Sequence, residues 1–125
     1  MSKFMSTLQD RYDDAMFDFS TGNYDSAIVK FESILAEDPA YFEAQLALGM
    51  AYYRKGDYPA AIAEGHLAER LKPHEQLVHT NLSLFYMKAG NKVTAEHHGL
   101  QARISSWRED AQHAKSAAPA APSDP

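Results

Sequence analysis

The side chains of this sequence best suited to bind a metal or move a proton are six histidines, His66, His74, His79, His97, His98 and His113. His97 and His98 form the densest pair. Adjacent helical residues point about 100° apart, however, so these two cannot share an ion as an i, i+4 pair can. The histidines are therefore expected to be solvated or to cap helices, and no metal site is assigned. Asp10, Asp14 and Asp18 recur at four-residue spacing. Like charges at that spacing repel, and no loop nearby has the ligand pattern of a calcium site, so they read as a solvent-facing stripe. The absence of cysteine removes disulfides, thiolate zinc sites and cysteine nucleophiles. GxSxG, HExxH, P-loop and GxGxxG motifs are also missing from the sequence. The expectation is a protein that is not an enzyme, with no catalytic residues, no cofactor and no metal.

Composition narrows the remaining classes. The 125 residues, 45% hydrophobic and 23% charged with a net charge of -5, suit one soluble domain stabilised by packing. Residues 1–40 hold eight acids against Lys3, Arg11 and Lys30, while the remainder is balanced. No basic stripe is available to neutralise phosphates, which argues against nucleic acid as a partner. The longest apolar run, Ala44 to Tyr53, is interrupted by Gln45 and Gly49. It falls short of the roughly 18 residues needed to insert in a membrane. The opening MSKFMSTLQD lacks the apolar core of a secretory signal, so a cytoplasmic location is expected.

The elements that must carry these side chains repeat. GNYDSA begins at Gly22, GDYPAA at Gly56 and GNKVTA at Gly90, at intervals of 34 residues. In the middle unit Leu48, Gly49 and Tyr52 mark one face of a helix over about Tyr41 to Lys55. Gly56 ends it, since a glycine just past a helix can turn left-handed and satisfy the last carbonyls. Asp57 and Pro59 then start a second helix, about Tyr58 to Leu71, which Pro73 closes. The same reading gives helices over about Thr7 to Ser20, capped by Ser6, and Tyr24 to Glu37 in the first unit. It gives about Glu75 to Ala89 and Lys92 to Arg108 in the third, the last running on towards His113. Each unit is a helical hairpin.

These hairpins resemble the tetratricopeptide repeat family. The middle unit carries the pattern nearly throughout, with Leu48, Gly49, Tyr52, Gly56, Asp57, Tyr58, Ala61, Ala68 and Pro73. The resemblance implies an all-α fold, a right-handed α-α superhelix of three stacked hairpins, with units of about 8–41, 42–75 and 76–109 inside a domain of residues 1–115. Residues 116–125, SAAPAAPSDP, are expected to form a disordered tail. Some positions depart from the pattern. Asp14 and Asp18 stand where the middle unit has Leu48 and Tyr52, so the first helix is expected to pack through Leu8, Tyr12, Ala15 and Phe19 and turn its acids to solvent. Phe31 gives way to Gly65 and Gly99, explained first by close helix packing and otherwise by a slot for a neighbouring bulky side chain.

The resemblance also implies that peptides or partner helices bind on the inside of the curve, where the first helix of each unit faces. Counting back from each turn glycine places Gln9, Tyr12, Met16, Phe19 and Ser20 there, then Glu43, Leu46, Met50, Tyr53 and Arg54, then Leu77, Thr80, Leu84, Met87 and Lys88. Arg54 and Lys88 are the only cations among them. Relatives that clamp acidic C-terminal peptides carry Lys and Asn at several of these places, so the groove is expected to take an apolar or amphipathic segment of a partner protein. Tyr12, Met16, Phe19, Met50, Tyr53, Arg54, Thr80, Leu84, Met87 and Lys88 are the candidate contacts, methionine being suited to variable apolar ligands. Leu46 and Leu77 fall first to the core. The roles expected are those of an adaptor, a scaffold or a chaperone. An alternative is self-assembly through an uncapped face on the last helix, made of Val93, Leu100, Ile104 and Trp107.

Overall fold

The computed structural model describes residues 7–117, with side chains to Gln112. Six helices follow in order: α1 (Leu8–Ser20), α2 (Tyr24–Glu37), α3 (Phe42–Lys55), α4 (Tyr58–Leu71), α5 (Gln76–Lys88) and α6 (Lys92–Ala117). The described residues contain no strand. Each helix packs on its neighbours in sequence, and α3 also touches α1 and α5. The first helices of the hairpins thus form a close inner row, while α2, α4 and α6 stand apart from one another on the outside. A helical-repeat superhelix with its concave side on α1, α3 and α5 results.

Local chemistry sets the helix ends. Thr7, rather than Ser6, caps α1. Its hydroxyl accepts from the Asp10 amide at 3.0 Å, and the Asp10 carboxylate accepts from the Thr7 amide at 3.3 Å. Gly56 is left-handed at φ 91°, which lets the Asp57 amide reach back to the Tyr52 carbonyl at 2.9 Å. The Asp57 carboxylate then receives the Ala60 amide at 3.2 Å and opens α4. Lacking an exit proline, α6 runs through His113 to Ala117. The expected tail therefore begins inside the helix at Ser116, and 118–125 lie outside the described residues.

Two clusters of apolar side chains hold the hairpins together. Phe31, Ile34 and Leu48 centre the first, with Leu8, Tyr12 and Phe19 packed against it and Ala15 inside it. Phe42, Val78, Leu82 and Phe85 centre the second. Burying each such side chain contributes roughly 1.5–3 kcal/mol. Gly65 belongs to the second cluster for a specific reason. A Cβ there would lie 2.6 Å from Leu82 Cδ2 and 3.4 Å from Phe85 Cε2, so the glycine is a slot filled from α5. Gly99, one repeat later, meets only Ser83 Oγ at 3.5 Å. The acids of α1 do not all face water. Asp18 has a side chain only 13% exposed, bridged to Lys30 at 2.7 Å and accepting from the Ser26 hydroxyl at 2.7 Å. The Lys30 ammonium, and then Ser26, hold its carboxyl below the usual carboxylate range.

Candidate partner-binding groove and a buried histidine cluster

On the concave side, α1 contributes Tyr12, Met16 and Phe19, α3 contributes Glu43, Leu46, Ala47, Met50 and Arg54, and α5 contributes Leu77 and Asn81 to one open cavity of about 400 Å³. The walls are fixed from behind. Tyr12 lies against Tyr41, ring centroids 5.9 Å apart, and against Phe31 at 6.0 Å. Burial, followed by the Glu43 carboxylate, pushes its phenol above the usual value. Phe19 meets the edge of Tyr24 at 5.6 Å on one side and the Arg54 guanidinium at 5.4 Å on the other. The cavity floor is apolar, and Arg54 is the only cation on its lining.

Five candidate contacts, Tyr12, Met16, Phe19, Met50 and Arg54, are thus brought together, and five are placed elsewhere. Tyr53 is half-buried, its ring centroid 5.8 Å from Tyr58 and 5.4 Å from Phe85. Leu84 and Met87 are exposed on α5, and Lys88 ends that helix. Thr80 faces a separate cavity of about 320 Å³ between α5 and α6, shared with Ser83, Gly99 and Trp107. Leu77, assigned first to the core, is 53% exposed and lines the groove. Ala47 and Asn81 were absent from the projection. Both stand nine residues before a turn glycine, so one further register position would have found them. On α6, Val93, Leu100 and Trp107 are exposed and Ile104 is half-buried.

A second constellation is buried where side chains of α4, α5 and α6 meet. The expectation of solvated or capping histidines fails here, because His79 and His98 are 4% and 6% exposed. Their Nδ1 atoms are 3.2 Å apart, with ring planes at 20° and centroids at 5.4 Å. That combination is an edge-to-edge pair meeting through the nitrogens. His79 Nε2 lies 2.6 Å from the Pro73 carbonyl and must donate to it, which leaves Nδ1 as a bare lone pair. His66 Nδ1 donates to Glu69 Oε1 at 2.9 Å, and its Nε2 accepts from the Tyr86 hydroxyl at 2.7 Å. The Tyr86 ring is parallel to that of His98, centroids 5.7 Å apart. Burial lowers the His98 pKa from its ordinary value, outweighing the opposite pull of Glu69.

Repeat register relates this cluster to the preceding hairpin. His79 and His98 stand 34 residues after Gln45 and Glu64. Those two also meet, the Gln45 amide donating to Glu64 Oε1 at 2.6 Å. Similarly, Tyr52 donates to Glu32 at 3.1 Å where Tyr86 donates to His66.

A family model described as tetratricopeptide repeat matches residues 18–76. Among solved structures, one described as MamA MSR-1 C2 superposes with a TM-score of 0.77 at 22% identity, covering 82% of this chain and 59% of that one. The chain thus spans less than two thirds of the MamA chain. The type III secretion translocator chaperone SycD of Yersinia enterocolitica gives a TM-score of 0.77 at 19% identity over 90% of both chains. SycD in complex with a peptide of the translocator YopD gives 0.77 at 19% identity, covering 90% of this chain and 91% of that one. At these identities the likeness establishes the fold. No curated protein matches the sequence.

Proposed function

We propose that this tetratricopeptide repeat protein is a protein-interaction module, of adaptor or chaperone type, that holds an apolar or amphipathic segment of a partner protein in its concave groove. The observation that carries this reading is the open cavity of about 400 Å³ between α1, α3 and α5, floored by Met16, Leu46, Met50 and Leu77 and walled by Tyr12 and Phe19. Its methionines can repack around side chains of different shape, as a surface for variable apolar ligands requires. Glu43 at the margin and Arg54 near Phe19 give the rim one charge of each sign. An amphipathic helix docked in the groove would meet both through its polar flank. SycD, which shares the fold, is described in complex with a peptide of YopD, which makes peptide capture by this architecture a fair precedent.

The test is affinity capture from native lysate with the wild type, Met50→Glu, Leu77→Glu and the outer-face control Val29→Glu. A partner retained by wild type and control, and lost from both groove variants by more than tenfold, is the expected result. Equal retention by all four proteins would remove the groove assignment. Circular dichroism checks that each variant folds.

A second reading, self-assembly, rests on the α6 face, where Val93 is 79% and Trp107 62% exposed and no described helix covers them. Under it, light scattering of the wild type gives a mass above that of one chain, and Trp107→Asp returns it to a monomer. A monomeric wild type at every concentration rejects this reading.

A further inference from the structure

We propose that Glu69, His79 and His98 form a binding site for one divalent transition-metal ion, with zinc the best match, and that the ion staples α4, α5 and α6 together. The donor atoms of these three side chains come from three helices and lie within 4.8 Å of one another. Two imidazoles and a carboxylate, without thiolate, form a donor set that suits zinc and its first-row neighbours rather than calcium or magnesium.

The donor spacing is what coordination needs, while the two rings still point at each other. Metal–nitrogen bonds of 2.0–2.1 Å at a tetrahedral centre put neighbouring donors about 3.3 Å apart. The Nδ1 atoms of His79 and His98 are 3.2 Å apart. Without an ion, one hydrogen between them makes a single N–H···N bond, and since His79 Nδ1 is bare, His98 supplies it. Binding requires His98 to hold its proton on Nε2 instead, a change of tautomer with no net gain or loss of charge. Each ring then tips so that both lone pairs converge on the side where Glu69 lies. The Glu69 side chain is 31% exposed, so it supplies the third ligand and leaves a path and a fourth position for water.

The surrounding contacts are those that orient ligands in metal sites. His79 donates its other ring nitrogen to the Pro73 carbonyl at 2.6 Å. Glu69 is held by His66 at 2.9 Å, which is held in turn by the Tyr86 hydroxyl at 2.7 Å. Backbone carbonyls and carboxylate–histidine pairs in this second layer select the tautomer and raise ligand basicity. The location also gives an ion a mechanical role. The backbones of α4 and α6 do not pack closely on each other, so the third hairpin is joined to the second chiefly through α5. An ion shared by α4, α5 and α6 adds the missing tie.

The experiment uses the full chain without an affinity tag. After treatment with a chelator, the protein is titrated with zinc in competition with a chromophoric chelator, and the visible spectrum is recorded with cobalt in place of zinc. The expected result is one zinc per chain, an intense tetrahedral-type cobalt spectrum, and a melting temperature that rises with zinc but not with magnesium. His79→Gln copies the side chain found one repeat earlier and keeps a hydrogen-bonding partner for His98. It is expected to weaken zinc binding at least a hundredfold, and Glu69→Gln at least tenfold, with His74→Ala and His97→Ala unchanged. A wild type that takes up no stoichiometric zinc, or one whose affinity is the same in His79→Gln and Glu69→Gln, overturns the proposal.

Discussion

The second and third hairpins place a polar pair at the same point of the repeat, half-buried in one and buried in the other, and use it differently. Between α3 and α4, Gln45 donates to Glu64 at 2.6 Å, and its remaining contact is the Glu64 carbonyl at 3.2 Å. That pair is a closed hydrogen bond in an otherwise apolar interface. Between α5 and α6, His79 and His98 face each other with one hydrogen for two nitrogens, while Glu69 and His66 reach in from α4. The first hairpin shows a third solution, in which Arg11 and Lys30 turn apart to Glu37 and to Asp14 and Asp18. A repeat thus fixes where two side chains meet and leaves their chemistry free. Identical backbone geometry can serve stability in one unit and carry ligands in the next.

The same contrast in the apolar cores is tested by substitutions one repeat apart. Phe31 fills the first core from α2, whereas the second core is filled from α5 by Leu82 and Phe85 over Gly65. The largest expected effect is therefore at Phe31. Phe31→Ala should cost about 3–5 kcal/mol in chemical denaturation, because Leu48 is already packed in this core and the α3 position one repeat before Phe85 holds only Ala51, too small to fill the space. A loss below about 1 kcal/mol would show that the first core also fills from the next helix.

Gly65→Ala and Gly99→Ala should then differ in sign. The new methyl at position 65 meets Leu82 Cδ2 at 2.6 Å inside a full core, so overpacking outweighs the gain in helix propensity and the net loss is about 1 kcal/mol. At position 99 the nearest atom is Ser83 Oγ at 3.5 Å, an ordinary contact, and the substitution should stabilise by about 0.5–1 kcal/mol. Thermal melts of the two variants compare them directly, and equal shifts would contradict the slot at Gly65.

The hydrogen bonds joining successive hairpins give the smallest effect. Burial, then the bond to Glu32, pushes the Tyr52 phenol up to about 12. An unfolded tyrosine ionises near 10. The folded state therefore keeps the proton to higher pH than the unfolded one. The resulting stabilisation is complete below about pH 10 and lost as pH rises through about 12. Tyrosinate absorbance during alkaline titration should show a late step near pH 12 that Tyr52→Phe lacks.

The helices were legible in the sequence because the turn inside each hairpin is punctuated by glycine and the turns between hairpins by Pro39 and Pro73, and the expected ends agree with those observed to within one residue except at α6. There the exit proline is replaced by Trp107, and nothing stops the helix before Ala117. The groove was partly legible. Projection from the glycines found Met16 and Met50 but carried the pattern uniformly onto α5, where Leu84 and Met87 have no following first helix to form an opposite wall. The histidine cluster was hidden by reading neighbours along the chain. His97 beside His98 carries no information about contact, whereas His79 and His98 meet because the hairpin pairs those positions, as it pairs Gln45 with Glu64. The 34-residue register held that signal.

The central claim, that the concave groove between α1, α3 and α5 receives a partner's apolar segment, is tested most directly by photocrosslinking. A photoreactive methionine analogue is placed at position 16, 50 or, on the outer face, 29, and adducts formed in native lysate are mapped by mass spectrometry. The account predicts that positions 16 and 50 capture the same apolar or amphipathic segment of one partner and that position 29 does not. Adducts from position 29 alone, or none from positions 16 and 50, would contradict it.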